Sequence, residues 1–268
     1  MLANVFYRLD PFLVCLVLLA LLLVAEEVGF RSRKRHRPGS QGIDKADFAL
    51  IPGAALTMLS LMLGFTYVMS EARFETRRQL VIDEANAIGT TYLRAQMLPE
   101  PESSEFQELL RQYAALRVEI ANMRSYTPET IREADARTKQ LHGLLWSQAL
   151  ILANKSHDPV VALFLVSLNE TIDVHGERVA ALRDRVPFSI FPALFVSSAI
   201  TMWLVGFYFG MRGLRVRIIT TMLALLVATV MWLILDLDQP VRGAIKASQQ
   251  SVLDLQQDLG QPTLKPNE

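Results

Sequence analysis

The chain has 268 residues, of which 51% are hydrophobic and 20% charged, and its 27 basic and 27 acidic residues leave no formal net charge. Balanced charge gives no argument for nucleic acid as a partner, and this composition predicts apolar membrane spans separated by a polar region. The single cysteine, Cys15, excludes an intrachain disulfide.

Four apolar segments are long enough to cross a bilayer as helices. They are Pro11–Val28, Phe48–Ser70, Phe188–Phe209 and Leu214–Leu235. The first is interpreted as a retained span, because no small-residue cleavage site follows its apolar run, which leads instead into Glu26, Glu27 and then a basic run.

Between the second and third spans the sequence has helical periodicity and no alternating strand pattern. Thr127-Pro128 and Asp158-Pro159 are typical helix starts. The predicted fold class is an all-α integral membrane protein with four transmembrane helices and a helical bundle inserted between the second and third. The expected divisions are residues 1–70 (two spans and a basic loop), 71–186 (bundle), 187–236 (two spans) and 237–268 (C-terminal segment and tail).

The second span leaves the membrane without a helix breaker. No proline lies between Pro52 and Pro99, so one long helix, half in lipid and half in water, is predicted. Six of its residues fall on one narrow stripe at helical spacing. They are Thr57, Leu61, Phe65, Val68, Ala72 and Thr76. The stripe is interpreted either as an ordinary packing face or as the lining of an axis shared by several copies of the chain.

The end of this span carries a recognisable pattern. Leu63-Gly64-Phe65 is followed nine residues after the glycine by Arg73-Phe74, and then by Arg77-Arg78. This spacing resembles the bestrophin signature. Bestrophins are pentameric ion channels, many of them anion-selective, whose second span supplies an apolar neck.

The resemblance implies a neck at Thr57, Leu61 and Phe65, with Val68, Ala72 and Thr76 continuing the pore lining. The chain departs from the family at Thr66, where many bacterial members place an arginine, and at the polar first neck position. The segments 83–89 and 237–243 look more like the remote, mostly bacterial bestrophin-like branch, which is largely uncharacterised.

Other polar residues leave alternatives open. Asp83, Glu84 and Asn86 form either a salt-bridged face with Arg77 or Arg78 as partners, or an ion-contacting ring if several copies surround an axis. Glu26 and Glu27 are either solvated at the interface or paired with an arginine.

The sequence contains no pattern typical of a catalytic site or a metal site. The four histidines lack metal-site spacing, and no nucleophile–base or paired-acid arrangement occurs. We therefore expect no metal, no cofactor and no enzymatic activity.

The favoured function is a homo-oligomeric channel, a pentamer by resemblance, that passes small ions, anions above all. The alternative is a non-conducting membrane sensor or scaffold. The expected location is the bacterial inner (plasma) membrane, with the lipid bilayer and small ions as partners. The basic run 31–37 favours a cytoplasmic first loop, which would put residues 71–186 outside the cytoplasm. The bestrophin resemblance implies the opposite orientation, with the large helical region in the cytoplasm, so both orientations stay open at this point.

Overall fold

The structure, a computed structural model, describes residues 9–35, 50–123, 127–240 and 243–260. These residues form eight helices, and no strand occurs among them. The helices are α1 (Pro11–Arg35), α2 (Leu50–Ala95), α3 (Glu102–Ala121), α4 (Pro128–Lys155), α5 (Pro159–Arg183), α6 (Ile190–Arg212), α7 (Arg217–Asp238) and α8 (Gln250–Gly260). The all-α fold class is confirmed.

Four of the described helices are long and apolar enough to cross a membrane: α1, α2, α6 and α7. They contain the four predicted spans, apart from residues at span ends. The later part of the basic loop, residues 36–49, lies outside the described residues.

Side-chain caps begin three of the helices, two of them at the starts predicted from the sequence. The Asp10 carboxylate accepts the Phe12 N–H at 2.8 Å ahead of α1. Thr127 closes a capping box with Thr130 at α4, and Asp158 accepts the Val160 N–H at 2.8 Å at α5. Gly213 ends α6 with a φ of 70°, a left-handed conformation that glycine adopts without steric cost.

The helix α2 is continuous over 46 residues. Pro52 lies in its first turn, where the missing N–H would have no partner within the helix. The prediction of a second span that continues as one helix into polar sequence is confirmed.

The chain forms two compact units. The first comprises Met1–Phe74 and Arg185–Lys246 and contains α1, α6, α7 and the apolar part of α2. Its core is built from fully or nearly fully buried apolar side chains. Among them are Leu22, Leu59, Phe191, Met202 and Met231.

Glycines bring the α1 and α6 backbones into close approach. A Cβ atom on Gly206 would lie 2.0 Å from the Glu26 carbonyl oxygen, and one on Gly29 would lie 2.1 Å from that of Trp203. Only glycine fits at such distances. Small residues of this kind let transmembrane helices pack by close van der Waals contact, which substitutes for a hydrophobic driving force that lipid does not provide.

The second unit comprises Glu75–Asp184 and Ala247–Glu268. The polar part of α2 packs there with α3, α4, α5 and the short helix α8. In its core the ring centroids of Phe106 and Phe164 lie 4.5 Å apart. The helix α8 adds the buried side chains of Val252, Leu255 and Leu259 to the same core.

Candidate functional site

The predicted stripe on α2 is exposed. Leu61, Phe65 and Val68 have 59%, 68% and 60% of their surface accessible, and Thr57, Ala72 and Thr76 are exposed as well. The other face of the same turns is covered, since Leu59 and Leu63 are 2% and 5% exposed. The stripe is therefore not a packing face within this chain.

The signature residues divide between the two faces. Leu63 packs in the core of the first unit, whereas Gly64 and Phe65 are exposed. Arg77 is buried, and Arg78 makes a two-point contact with Glu75 at 2.7 and 2.8 Å. Arg73 and Phe74 are half-buried.

Farther along α2, polar side chains continue the direction of the stripe. The Gln79 amide donates to the Asp83 carboxylate at 2.9 Å, and Asn86 is exposed. From Thr57 to Asn86 the helix rises about 44 Å at 1.5 Å per residue. This exceeds the roughly 30 Å of bilayer hydrocarbon, so the whole stripe cannot face lipid.

Glu84 does not share this surface. Its side chain is fully buried in the second unit, where it lies at the centre of a polar cluster that we call the Glu84 cluster. The members that contact Glu84 directly come from α3 and α5. They are Tyr113 (Oη to Oε1, 3.1 Å), Arg117 (Nε to Oε2, 3.1 Å), His175 (Nδ1 to Oε1, 3.0 Å) and Arg178 (Nη1 to Oε2).

The cluster contains two guanidinium groups and one carboxylate. Arg117 and Arg178 have only 7% and 11% of their side chains exposed. Arg178 also donates to the Gln249 side-chain oxygen at 2.6 Å, so the segment before α8 closes the cluster. Each ion is thereby hydrogen-bonded, which is the condition under which buried charges are tolerated.

Electrostatics keep the Glu84 carboxylate ionised. This part of α2 lies beyond the apolar span. Burial alone would raise the pKa of Glu84, but hydrogen bonding with His175 and the charges of Arg117 and Arg178 outweigh burial and hold the pKa below its ordinary value. Burial and the adjacent carboxylate raise the pKa of Tyr113 well above its usual range, so this hydroxyl stays a donor.

Two histidines that are distant in sequence meet at the cluster. The ring centroids of His142 and His175 lie 5.1 Å apart, edge to face, and the His142 centroid lies 4.9 Å from the centroid of the Tyr113 ring. Burial, followed by the neighbouring His175, lowers the pKa of His142 to about 4. Among the described residues, no three His, Cys, Asp or Glu side chains are placed to hold a metal ion.

The Glu84 cluster was not predicted from the sequence, although a signal for it exists. The neighbours of Glu84 at helical spacing, Val81 and Ile88, both belong to the core. Arg117 likewise follows the buried Tyr113 and Ala114. A charged residue on the apolar face of each of two helices indicates a buried ion pair.

Glu27 pairs with arginines. Its carboxylate accepts from Arg31 Nε at 2.6 Å and from Arg215 Nη2 at 3.3 Å, and Arg217 lies within 3.9 Å. The Arg215 guanidinium also lies over the Phe30 ring, 4.6 Å from its centroid. Of the two alternatives for the acids that end α1, pairing therefore applies to Glu27.

Comparison with known families identifies the fold. A family model described as the bestrophin-like domain matches residues 14–252. The chain belongs to the bestrophin-like family. The resemblance drawn from the second span is thus confirmed over most of the chain, and the protein is a multi-pass membrane protein.

Solved structures agree on the fold. A point mutant of a bacterial bestrophin homologue from Klebsiella pneumoniae is 19% identical, covers 91% of this chain and 97% of its own, and has a TM-score of 0.64. A second mutant of a bestrophin homologue from the same organism is 18% identical, covers 93% and 97%, and has a TM-score of 0.67. No curated protein matches the chain.

Proposed function

We propose that this bestrophin-like protein is an oligomeric ion channel in which α2 from each copy lines a central pore. Thr57, Leu61 and Phe65 form the neck, and Val68, Ala72 and Thr76 continue the lining. The supporting observation is the exposure of this apolar stripe on a helix whose other face is packed against its own chain. The family resemblance adds the pentamer, the bacterial inner membrane and a preference for small anions.

A ring of apolar side chains gives the neck a physical role. Ions cross a narrow apolar constriction only with difficulty, because such a constriction excludes water and ions lose their hydration. Shortening the side chain widens and wets the ring. Removing Phe65 or Leu61 side-chain atoms should therefore raise conductance while leaving the fold of each copy unchanged, since both residues are exposed within the chain.

The test is ion flux through proteoliposomes containing purified protein. Phe65→Ala should raise flux over the unmodified chain. Tyr67→Ala is the matched control, since Tyr67 is also an exposed aromatic residue on α2 but points about 160° away from Phe65 around the helix. Native mass measured on the same samples reports assembly. A pentamer with higher flux only in Phe65→Ala supports the channel, whereas a monomer or dimer without flux in any variant favours the sensor or scaffold.

A further inference from the structure

The later part of α1 and the start of α7 meet in a cluster with more arginines than carboxylates. The Glu27 carboxylate accepts from Arg31 Nε at 2.6 Å and from Arg215 Nη2 at 3.3 Å. Arg217 Nη2 lies 3.9 Å from the other oxygen of the same carboxylate. Even with the neighbouring Glu26 counted, three guanidinium groups face two carboxylates. The cluster therefore keeps a net positive charge.

The guanidinium groups are both held in place and accessible. The Arg215 guanidinium lies 4.6 Å from the centroid of the Phe30 ring and shares Glu27 with its neighbours. The side chains of Arg215 and Arg217 are nevertheless 43% and 66% exposed. A guanidinium group matches the geometry of phosphate oxygens and binds them through two parallel hydrogen bonds. The cluster is thus suited to a phosphate group at the boundary between membrane and water, where the two apolar spans end.

An apolar groove lies deeper along the same two helices. Its volume is about 210 Å³, and side chains of α1 and α7 form its walls. Among them are Leu16 and Leu19 on α1, and Leu225 and Trp232 on α7. Leu16 and Leu225 are 48% and 53% exposed, so the groove opens to the surroundings of the chain. At this depth those surroundings are hydrocarbon, because both helices are membrane spans.

The spacing of the cluster and the groove fits a phospholipid. Leu19 is eight residues from Glu27, and Leu225 is eight residues from Arg217, so on both helices the near end of the groove lies about 12 Å from the cluster. One leaflet is half of the roughly 30 Å of hydrocarbon, about 15 Å. Around the helices, Leu16 points about 20° from Glu27, and Leu225 points about 80° from Arg217. The charged end and the groove therefore follow one seam, the line along which α1 and α7 lie side by side.

We infer that the seam between α1 and α7 binds an anionic phospholipid, with its phosphate on Arg215 and Arg217 and an acyl chain in the groove. Basic pockets between transmembrane helices bind acidic lipid headgroups. The net positive charge is what distinguishes an anionic lipid from a zwitterionic one, since both have the same acyl chains. The site is independent of the proposed channel, because none of its residues belongs to the exposed stripe of α2.

The test measures the binding of dioleoyl phosphatidylglycerol and dioleoyl phosphatidylcholine to the full chain by native mass spectrometry in a neutral detergent. The unmodified chain should prefer phosphatidylglycerol. Arg215→Gln combined with Arg217→Gln should weaken phosphatidylglycerol binding about thirtyfold, since each basic side chain near an anionic lipid strengthens the attraction about fivefold. The matched control, Arg132→Gln with Arg137→Gln, removes two exposed, carboxylate-paired arginines of the second unit and should leave binding unchanged.

A second pair of variants tests the acyl chain. Leu225→Ala removes part of the groove wall and should weaken phosphatidylglycerol binding about fourfold, the equivalent of one buried methylene group. Leu226→Ala is the matched control, because Leu226 is a 62% exposed leucine on the same helix that lies outside the groove lining, and it should leave binding unchanged.

Two outcomes would overturn the inference. Equal affinity for the two lipids, or equal effects of the two arginine pairs, would show that the cluster does not select a lipid headgroup, as expected if a second copy of the chain covers the seam. Equal effects of Leu225→Ala and Leu226→Ala would show that an anion binds the arginines without a chain in the groove, which excludes a lipid as the ligand of the seam.

Discussion

Glu84→Gln should destabilise the second unit severely. The substitution keeps the size of the side chain but removes the charge that faces Arg117 and Arg178, whose side chains are only 7% and 11% exposed. Breaking a buried ion pair by removing one partner costs about 3–5 kcal/mol, because the remaining charge is left buried without compensation. Here two cations lose their shared partner, so the upper half of this range is expected.

The loss can be measured as a melting temperature of the detergent-solubilised protein, followed by size-exclusion chromatography after heating. For a chain of this size each kcal/mol shifts the midpoint by about 2–4 °C, so a fall of roughly 8–20 °C is expected. Glu75→Gln is the matched control. It removes an exposed pair with Arg78, and such pairs contribute little to stability because solvent screens them.

Equal melting temperatures for Glu84→Gln and Glu75→Gln would refute the buried cluster. Rescue supplies a second check. Arg117→Met in the Glu84→Gln background removes one of the stranded charges and replaces it with an apolar side chain. The double variant should therefore melt above Glu84→Gln alone, as expected for residues that interact directly.

Three further predictions concern packing, pH and topology. Gly206→Ala should lower the melting temperature and the yield of folded protein, because its Cβ would lie 2.0 Å from the Glu26 carbonyl oxygen, whereas Gly53→Ala, with open space around it, should have little effect. The pKa of His142 in the folded chain is about 4, so as the pH falls from 6.5 towards 4 the unfolded chain takes up a proton at His142 that the folded chain does not. The free energy of unfolding should therefore fall over this window, and it should fall less in His142→Phe. In a Cys15→Ala background, a membrane-impermeant thiol reagent applied to intact cells should label Ser147→Cys, in the helical region, and not Leu214→Cys, in the loop between α6 and α7. Labelling of Leu214→Cys but not Ser147→Cys would show that the helical region is cytoplasmic.

The fold was largely predictable because its strongest signals are local. Apolar length places α1, α6 and α7, and the absence of proline between Pro52 and Pro99 predicts the continuity of α2. Cap chemistry at Thr127 and Asp158 predicts two helix starts that the structure confirms. Each of these features is determined by residues within a few turns of one another, which periodicity and propensity can describe.

The Glu84 cluster was not predictable in the same way. Its members lie on separate helices, and their meeting depends on how those helices pack. Partners for Glu84 were expected one or two turns back on α2, yet its ion pairs are with Arg117 and Arg178, 33 and 94 residues away in sequence. The separation of Glu84 from Asp83 has the same origin, since adjacent residues on a helix point about 100° apart.

The sequence predicts the close approach of α1 and α6 only in part. Gly206 and Gly210 have the small-residue spacing of tightly packed membrane helices, but spacing alone does not identify the partner. The structure identifies the partner helix. The partner is α1, whose Glu26 and Phe30 carbonyl oxygens lie against the two glycines.

The claim that the exposed stripe of α2 faces an axis shared by copies of this chain is tested most directly by cross-linking at the neck. Phe65→Cys is introduced in a Cys15→Ala background, and the protein is oxidised in native membranes and separated on a denaturing gel. A covalent dimer from Phe65→Cys, with none from Tyr67→Cys, is the predicted result. Cross-linking at Tyr67 but not at Phe65 would place the stripe on the outside of the assembly and contradict the account.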